Sequence, residues 1–232
     1  MLFDCWGTLL QAPNLLRRGA SVEYFHRSLT ASGCAIDLDA FREAYIAEAR
    51  RQNEEARTDF RELDYMGRIM TALESMGFSH ARLDDLVDRA WVDYLAEWPR
   101  QSRFFEEAPA LLESIRGRYK LGLVTNFAHG PTARRVFDKL GFDAFFGSLV
   151  VSDEIGYRKP NRLLFDRALG ELGSTPDSTV MVGDTFDADV VGAKNVGMKA
   201  ILIDDGDPVD RRPAPDAVAR SIGEVGDILE DL

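Results

Sequence analysis

Asp4, Thr125, Asn126, Lys159, Asp184 and Asp189 are the residues whose types and positions point to chemistry. Three short apolar runs end in polar groups. Met1 to Phe3 leads into Asp4, Leu121 to Val124 into Thr125 and Asn126, and Thr179 to Gly183 into Asp184. Taken singly, such side chains are also good helix caps and turn formers. If the runs are neighbouring parallel strands, their carboxyl ends border one crevice, which is where open parallel sheets bind ligands.

Three carboxylates in one crevice, those of Asp4, Asp184 and Asp189, repel one another and any anionic substrate unless a cation sits among them. Oxygen-only ligands select a hard cation, so Mg²⁺ is the expected cofactor. Asp184 and Asp189 lie five residues apart, a spacing that suits one for the strand end and the other for the first turn of the next helix. Asp187, between them, reads as a helix cap, and a bare helix-dipole role would also suit Asp187 or Asp189. Lys159, held extended by Pro160, is a cation suited to a carboxylate nucleophile and a transferring phosphoryl oxygen. The Thr125 hydroxyl and nearby backbone N–H groups add donors.

These side chains need an α/β frame to bring them together. Leu121–Asn126, Thr179–Asp184 and Lys199–Asp204 are nearly continuous apolar runs, as expected of strands buried on both faces. Helical periodicity over Pro131–Leu140, Asn161–Leu172 and Ala188–Val196 supplies the βαβ rhythm of a parallel sheet. Asp216–Ser221 and a helix over Glu224–Leu229 are expected to finish it. The stretch between Ala12 and Arg103 has a different pattern. Leu63, Met66, Met70 and Leu73, then Leu86, Ala90, Trp91, Tyr94 and Leu95, recur at helical spacing, and Gly77 stands where a helix should stop. Those aromatics read as bundle core, with Pro13 and Pro99 as hinge markers near the two ends. The expected organisation is an α/β core over residues 1–11 and 104–232 with an all-helical insert over 12–103.

Composition narrows the partners. A formal charge of −11 over 232 residues argues against a nucleic-acid partner, because phosphate-backbone binding needs clustered Lys and Arg. No apolar run approaches membrane-spanning length, the N-terminal residues lack the pattern of a secretory signal, and there are only two cysteines. A cytoplasmic protein acting on a small molecule is the expectation.

The series Asp4-Cys-Trp-Gly-Thr8, Leu123-Val-Thr-Asn126, Lys159-Pro160 and Gly183-Asp184 with Asp189 resembles the four ordered motifs of the haloacid dehalogenase superfamily, and it spans nearly the whole chain. The resemblance implies a Rossmann-like core, a helical cap over the active site, and Mg²⁺-dependent hydrolysis of a small phosphate ester through an aspartyl-phosphate. By that resemblance Asp4 is the nucleophile, and Thr125, Asn126 and Lys159 bind the phosphoryl group. Asp4, Asp184 and the Trp6 main-chain carbonyl hold the metal, with Asp189 supporting it from behind. The first strand is shorter than the family's usual one.

The side chain of Trp6 departs from the phosphatase pattern, in which a second Asp protonates the leaving group and activates water. Family members that cleave haloacids carry Tyr at this position and need neither metal nor acid, so metal-independent 2-haloacid dehalogenation stays open. So does a binding protein that has lost efficient turnover. The acidic pair Asp184 and Asp189, in place of the dehalogenases' Ser-Asn, ranks phosphatase first, as does Phe165 in place of their Tyr. Arg17, Arg18, Arg27 and His129 are further candidates for meeting an anionic substrate, although solvated or salt-bridged arginines are the more ordinary reading.

Overall fold

In the computed structural model the described residues are all but 12, 15–18, 80–82 and 207–210. The chain divides into two compact units, one formed by Met1–Gln11 with Arg103–Leu232 and the other by Ala12–Ser102. In chain order, β1 (Leu2–Phe3) and β2 (Leu10–Gln11) precede four helices, α1 (Ala20–Ala31), α2 (Leu38–Glu55), α3 (Tyr65–Ser75) and α4 (Asp84–Gln101). After them come β3 (Arg103–Phe104), α5 (Ala108–Ile115), β4 (Gly122–Thr125), α6 (Gly130–Leu140), β5 (Ser148–Val151), α7 (Ser152–Ile155) and α8 (Arg162–Leu172). The chain then forms β6 (Val180–Gly183), α9 (Gly192–Val196), β7 (Lys199–Ile203), β8 (Ala217–Ala219) and α10 (Val225–Ile228). None of the described helices is long and apolar enough to cross a membrane.

Six strands form one sheet in the order β5-β4-β1-β6-β7-β8, and every neighbouring pair is parallel. β1 therefore lies between β4 and β6. The chain builds outward on one side of β1, then returns to build on the other, so β1 marks the reversal of strand order where ligands bind in such sheets. The predicted strands fall where expected because their apolar runs are covered on both faces, and β4 is buried throughout. Leu2, Val124, Leu164, Phe165, Ala168, Met181, Val190 and Leu202 belong to one buried cluster beneath the site. Burying each Leu, Val, Phe or Met among them contributes roughly 1.5–3 kcal/mol.

Some expectations need correction. Periodicity assigns nothing to residues 141–160, yet β5 pairs with β4 along its full length. The helix expected from Ala188 instead begins as a wide π turn over Phe186–Val191 that passes into α9. The last expected helix, Glu224–Leu229, is present as α10, and a 3₁₀ turn over Ile222–Glu224 leads into it.

Pro99 stands near the end of the helical unit but not in a connecting loop. It lies inside α4, which continues to Gln101. Within the helical unit the buried face of α3 is Arg68, Ile69, Ala72 and Leu73, whereas Met66 and Met70 are half-buried. The stripe on α4 is buried at Ala90, Trp91, Tyr94 and Leu95 but only half-buried at Leu86. α3 stops at Ser75, and Gly77 takes a φ of 88°, a conformation that side-chain-bearing residues avoid.

Candidate active site

Asp4 follows β1 directly, and its N–H donates to the Val182 carbonyl at 2.9 Å, extending the pairing with β6 by one residue. The chain then folds back tightly. The N–H groups of Leu9 and Leu10 both donate to the Cys5 carbonyl at 2.8 Å, and Gly7 N–H donates to the Leu10 carbonyl at 2.8 Å. This turn brings the Gly7 main chain against Asp184. Gly7 has a φ of 95°, and a Cβ there would lie 2.2 Å from Asp184 Oδ2. Gly7→Ala is therefore expected to combine a left-handed backbone penalty of about 1–2 kcal/mol with displacement of the Asp184 carboxylate. The measurable outcome is a lower Tm, and an unchanged Tm would contradict it.

Asp184 follows β6, and Thr8 Oγ1 donates to its Oδ1 at 3.3 Å. Asp189 comes back toward the strand end on the wide turn, where its Oδ2 accepts the Thr185 N–H at 3.0 Å. Gly183 leaves room for it, since a Cβ there would fall 2.2 Å from Asp189 Oδ2. Asp189 is 1% exposed and Asp4 7%. Asp187, by contrast, is exposed, and the residue preceding the turn is Thr185, so Asp187 is not the cap.

Lys159, 3% exposed, sits between two of these acids, its Nζ donating at 2.6 Å to Asp4 Oδ1 and at 2.6 Å to Asp189 Oδ1. Asn126 fixes the main chain that delivers it. Asn126 Oδ1 accepts the Lys159 N–H at 2.7 Å and its Nδ2 donates to the Lys159 carbonyl at 3.2 Å. The Asn126 amide, expected at the phosphoryl group, is thus turned to holding Lys159. Thr125 is buried at the end of β4, beside β1.

One carboxylate oxygen each from Asp4, Asp184 and Asp189 lies within 4.8 Å of the others. Burial, reinforced by the Asp4 charge, pushes Asp184 up to about 6. Burial raises Asp189 to about 7, with Asp4 adding to the rise and the Lys159 ammonium opposing it. Burial pulls the Lys159 ammonium down, but Asp189 and Asp4 more than offset this and hold it above the ordinary lysine value. When all three are ionised, three carboxylates against one ammonium leave two negative charges, and the donors are all oxygen. That donor set fits a hard divalent cation. Asp189 has one oxygen on Lys159 and the other on Thr185 N–H, so Asp184 is the more available ligand.

The Trp6 indole is half-buried and stacks on Phe127, ring centroids 4.5 Å apart, with Phe137 tilted alongside at 6.3 Å. His129 precedes α6, where its Nδ1 accepts the Thr132 N–H at 3.2 Å, and burial lowers its pKa. Arg27 lies on α1 with its guanidinium 5.6 Å from the Tyr24 ring centroid, and Arg17 and Arg18 fall outside the described residues. Burial, then the Asp4 charge, holds the Cys5 thiol well above its ordinary pKa.

Ser152 escaped sequence reasoning. Fully buried just after β5, its Oγ accepts the Phe127 N–H at 2.8 Å and donates to the Phe127 carbonyl at 3.4 Å, anchoring the loop after Asn126. No local signal marks it, because its strand lies outside the apolar runs that periodicity recognises.

Residues 1–197 match a family model described as haloacid dehalogenase-like hydrolase. The chain is 38% identical over 104 residues to glyceraldehyde 3-phosphate phosphatase of Methanothermobacter thermautotrophicus, covering 44% of this chain and 45% of that enzyme. The chain thus spans less than half the length of that relative. It is 30% identical over 168 residues to a pyrimidine 5′-nucleotidase of Escherichia coli, covering 68% of this chain and 70% of that protein. Among solved structures, a 2-haloacid dehalogenase from Pseudomonas syringae is similar with a TM-score of 0.72 at 22% identity, covering 99% of this chain and 97% of that one, a likeness of fold.

Proposed function

Because the chain belongs to the haloacid dehalogenase-like hydrolases, we propose that it is a Mg²⁺-dependent phosphatase acting on a small phosphorylated molecule through an aspartyl-phosphate at Asp4. The observation that carries this reading is the cluster of Asp4, Asp184 and Asp189 around one buried lysine, whose charge deficit suits a divalent ion. Relatives named for a triose phosphate and for pyrimidine nucleotides support a small phosphorylated substrate.

Asp4 attacks phosphorus, the bond from phosphorus to the leaving oxygen breaks, and water later attacks the same phosphorus to release phosphate and regenerate the carboxylate. Lys159 orients Asp4 through Oδ1 and lies close enough to neutralise a phosphoryl oxygen, and Thr125 supplies a hydroxyl donor. Asp4, Asp184 and the Trp6 main-chain carbonyl would hold Mg²⁺, backed by Asp189, and the ion would supply positive charge that lets an anionic substrate enter an acidic crevice. The helical unit, Ala12–Ser102, serves as the cap that selects substrates. Two buried free thiols, Cys5 and Cys34, suit a reducing compartment and support a cytoplasmic location.

Release of phosphate from an activated aryl phosphate tests the reading, with turnover expected in Mg²⁺ and none in EDTA; turnover that ignores EDTA would contradict it. The aromatic Trp6 favours one second reading, dehalogenation. Halide release from 2-chloropropionate without metal, in place of phosphate release, would establish it.

The raised carboxylates give a further expectation. Without metal, the folded protein keeps protons on Asp184 and Asp189 above the pH at which an unfolded chain has lost them. Their contribution to metal-free stability therefore declines as pH rises from about 4 to about 7. Mg²⁺ needs the ionised carboxylates, so the Tm gained on adding Mg²⁺ should be larger near pH 8 than near pH 5. An equal or reversed difference would contradict the assignment.

A further inference from the structure

We propose that Asp4 works with no proton donor or base of its own, so that it takes phosphoryl groups from donors whose leaving group departs as a stable anion and then holds the phosphoryl as a long-lived aspartyl-phosphate. The donor class comprises acyl phosphates, phosphoanhydrides and phosphates of acidic phenols. The proposal rests on the phosphatase reading and names the substrate class of that same site.

Each candidate proton carrier in the two loops beside Asp4 is committed elsewhere. In the turn after Asp4, Cys5 is 0% exposed, the Trp6 indole is stacked on Phe127, Gly7 has no side chain, and Thr8 is 1% exposed with its hydroxyl on Asp184. Across the crevice, Asn126 is spent on the Lys159 main chain and Ser152 is buried against Phe127. His129 uses Nδ1 as an acceptor for the Thr132 N–H, which leaves the ring proton on Nε2 and the imidazole without a free lone pair. Among the described residues of these two loops, no side chain combines an ionisable proton with a position open to the leaving group.

The consequence follows from the balance of the two steps. In the first, a bond forms between an Asp4 oxygen and phosphorus, and the bond from phosphorus to the leaving oxygen breaks. The electron pair leaves with that oxygen, and no described side chain of these two loops returns a proton. Carboxylates, phosphates and acidic phenolates accept that charge near neutral pH, whereas an alkoxide does not. A positioned acid is worth about 10² to 10⁴ in rate, which is the handicap an alkyl phosphate faces here. In the second step water attacks phosphorus and loses its proton to solvent or to the departing phosphate, while the Asp4 carboxylate is restored. Without a positioned base this step lags behind phosphorylation by an activated donor.

The test measures kcat/KM and pre-steady-state traces in Mg²⁺ over aryl phosphates of graded phenol acidity, with acetyl phosphate and a simple alkyl phosphate at the two extremes. The expected result is a fall in kcat/KM of about 10² or more from the most acidic phenol to the alkyl ester, and a burst of phenol stoichiometric with enzyme. Trp6→Asp should raise the alkyl ester relative to the aryl ester by about 10². If that variant fails to fold, the profile and burst of the unaltered protein decide alone. Turnover with a flat profile, or without a burst on acidic phenols, overturns this proposal while leaving the phosphatase reading intact. Absence of Mg²⁺-dependent turnover on every donor overturns both.

Discussion

Lys159→Met is expected to destabilise the fold by about 3–5 kcal/mol at neutral to alkaline pH, the range found when one partner of a buried ion pair is removed. Its Nζ bridges Asp4 and Asp189 at 2.6 Å to each, and both acids are almost fully buried. Removing the ammonium leaves two buried carboxylates facing each other, with Asp184 nearby. Asn126 grips only the main chain at 159, so the loop should persist and the variant isolates the electrostatic term. Loss of the cation raises the folded-state pKa of Asp189 further, and the sign follows. Protonation relieves the repulsion, so denaturant unfolding should show a large deficit near pH 8 that narrows toward pH 5. Turnover should fall at least as far as the loss of one preorganised donor, about 10²- to 10³-fold. A deficit that is small and independent of pH would mean that Lys159 is not the counter-charge described.

Asp4→Asn has the opposite profile. One carboxylate of three is lost, Lys159 keeps Asp189, and an Asn oxygen can still accept from Lys159, so metal-free stability should hold or rise. Activity should fall by about 10⁴ or more, as when a covalent nucleophile is removed. Intact folding by circular dichroism alongside residual activity within tenfold of the unaltered protein would exclude Asp4 as nucleophile.

Legibility in the sequence follows a physical division. β4, β6 and β7 are readable because strands buried on both faces must be apolar almost throughout, and the polar residue ending such a run lies at the carboxyl edge of the sheet. Asp4, Lys159 and the pair Asp184 and Asp189, from three separate segments of the chain, do converge. β5 is not readable, because its four residues follow Phe142, Phe145 and Phe146, whose i, i+3, i+4 spacing reads as a helical turn rather than as the approach to a strand.

Contacts between distant residues are harder still. That Gly7 must lack a Cβ is a statement about Asp184, and that Asn126 serves Lys159 is a statement about a loop 33 residues away. The wide turn at Phe186–Val191 is likewise dictated by the return of Asp189 toward Thr185 rather than by local propensity.

The most direct test of the central claim is acid quenching of the enzyme during turnover of an activated phosphate in Mg²⁺, followed by peptide mapping. The account predicts one added phosphoryl group on the peptide carrying Asp4, labile to hydroxylamine and absent from Asp4→Asn. Robust Mg²⁺-dependent turnover with Asp4 never modified, or with the phosphoryl group on another residue, would contradict it.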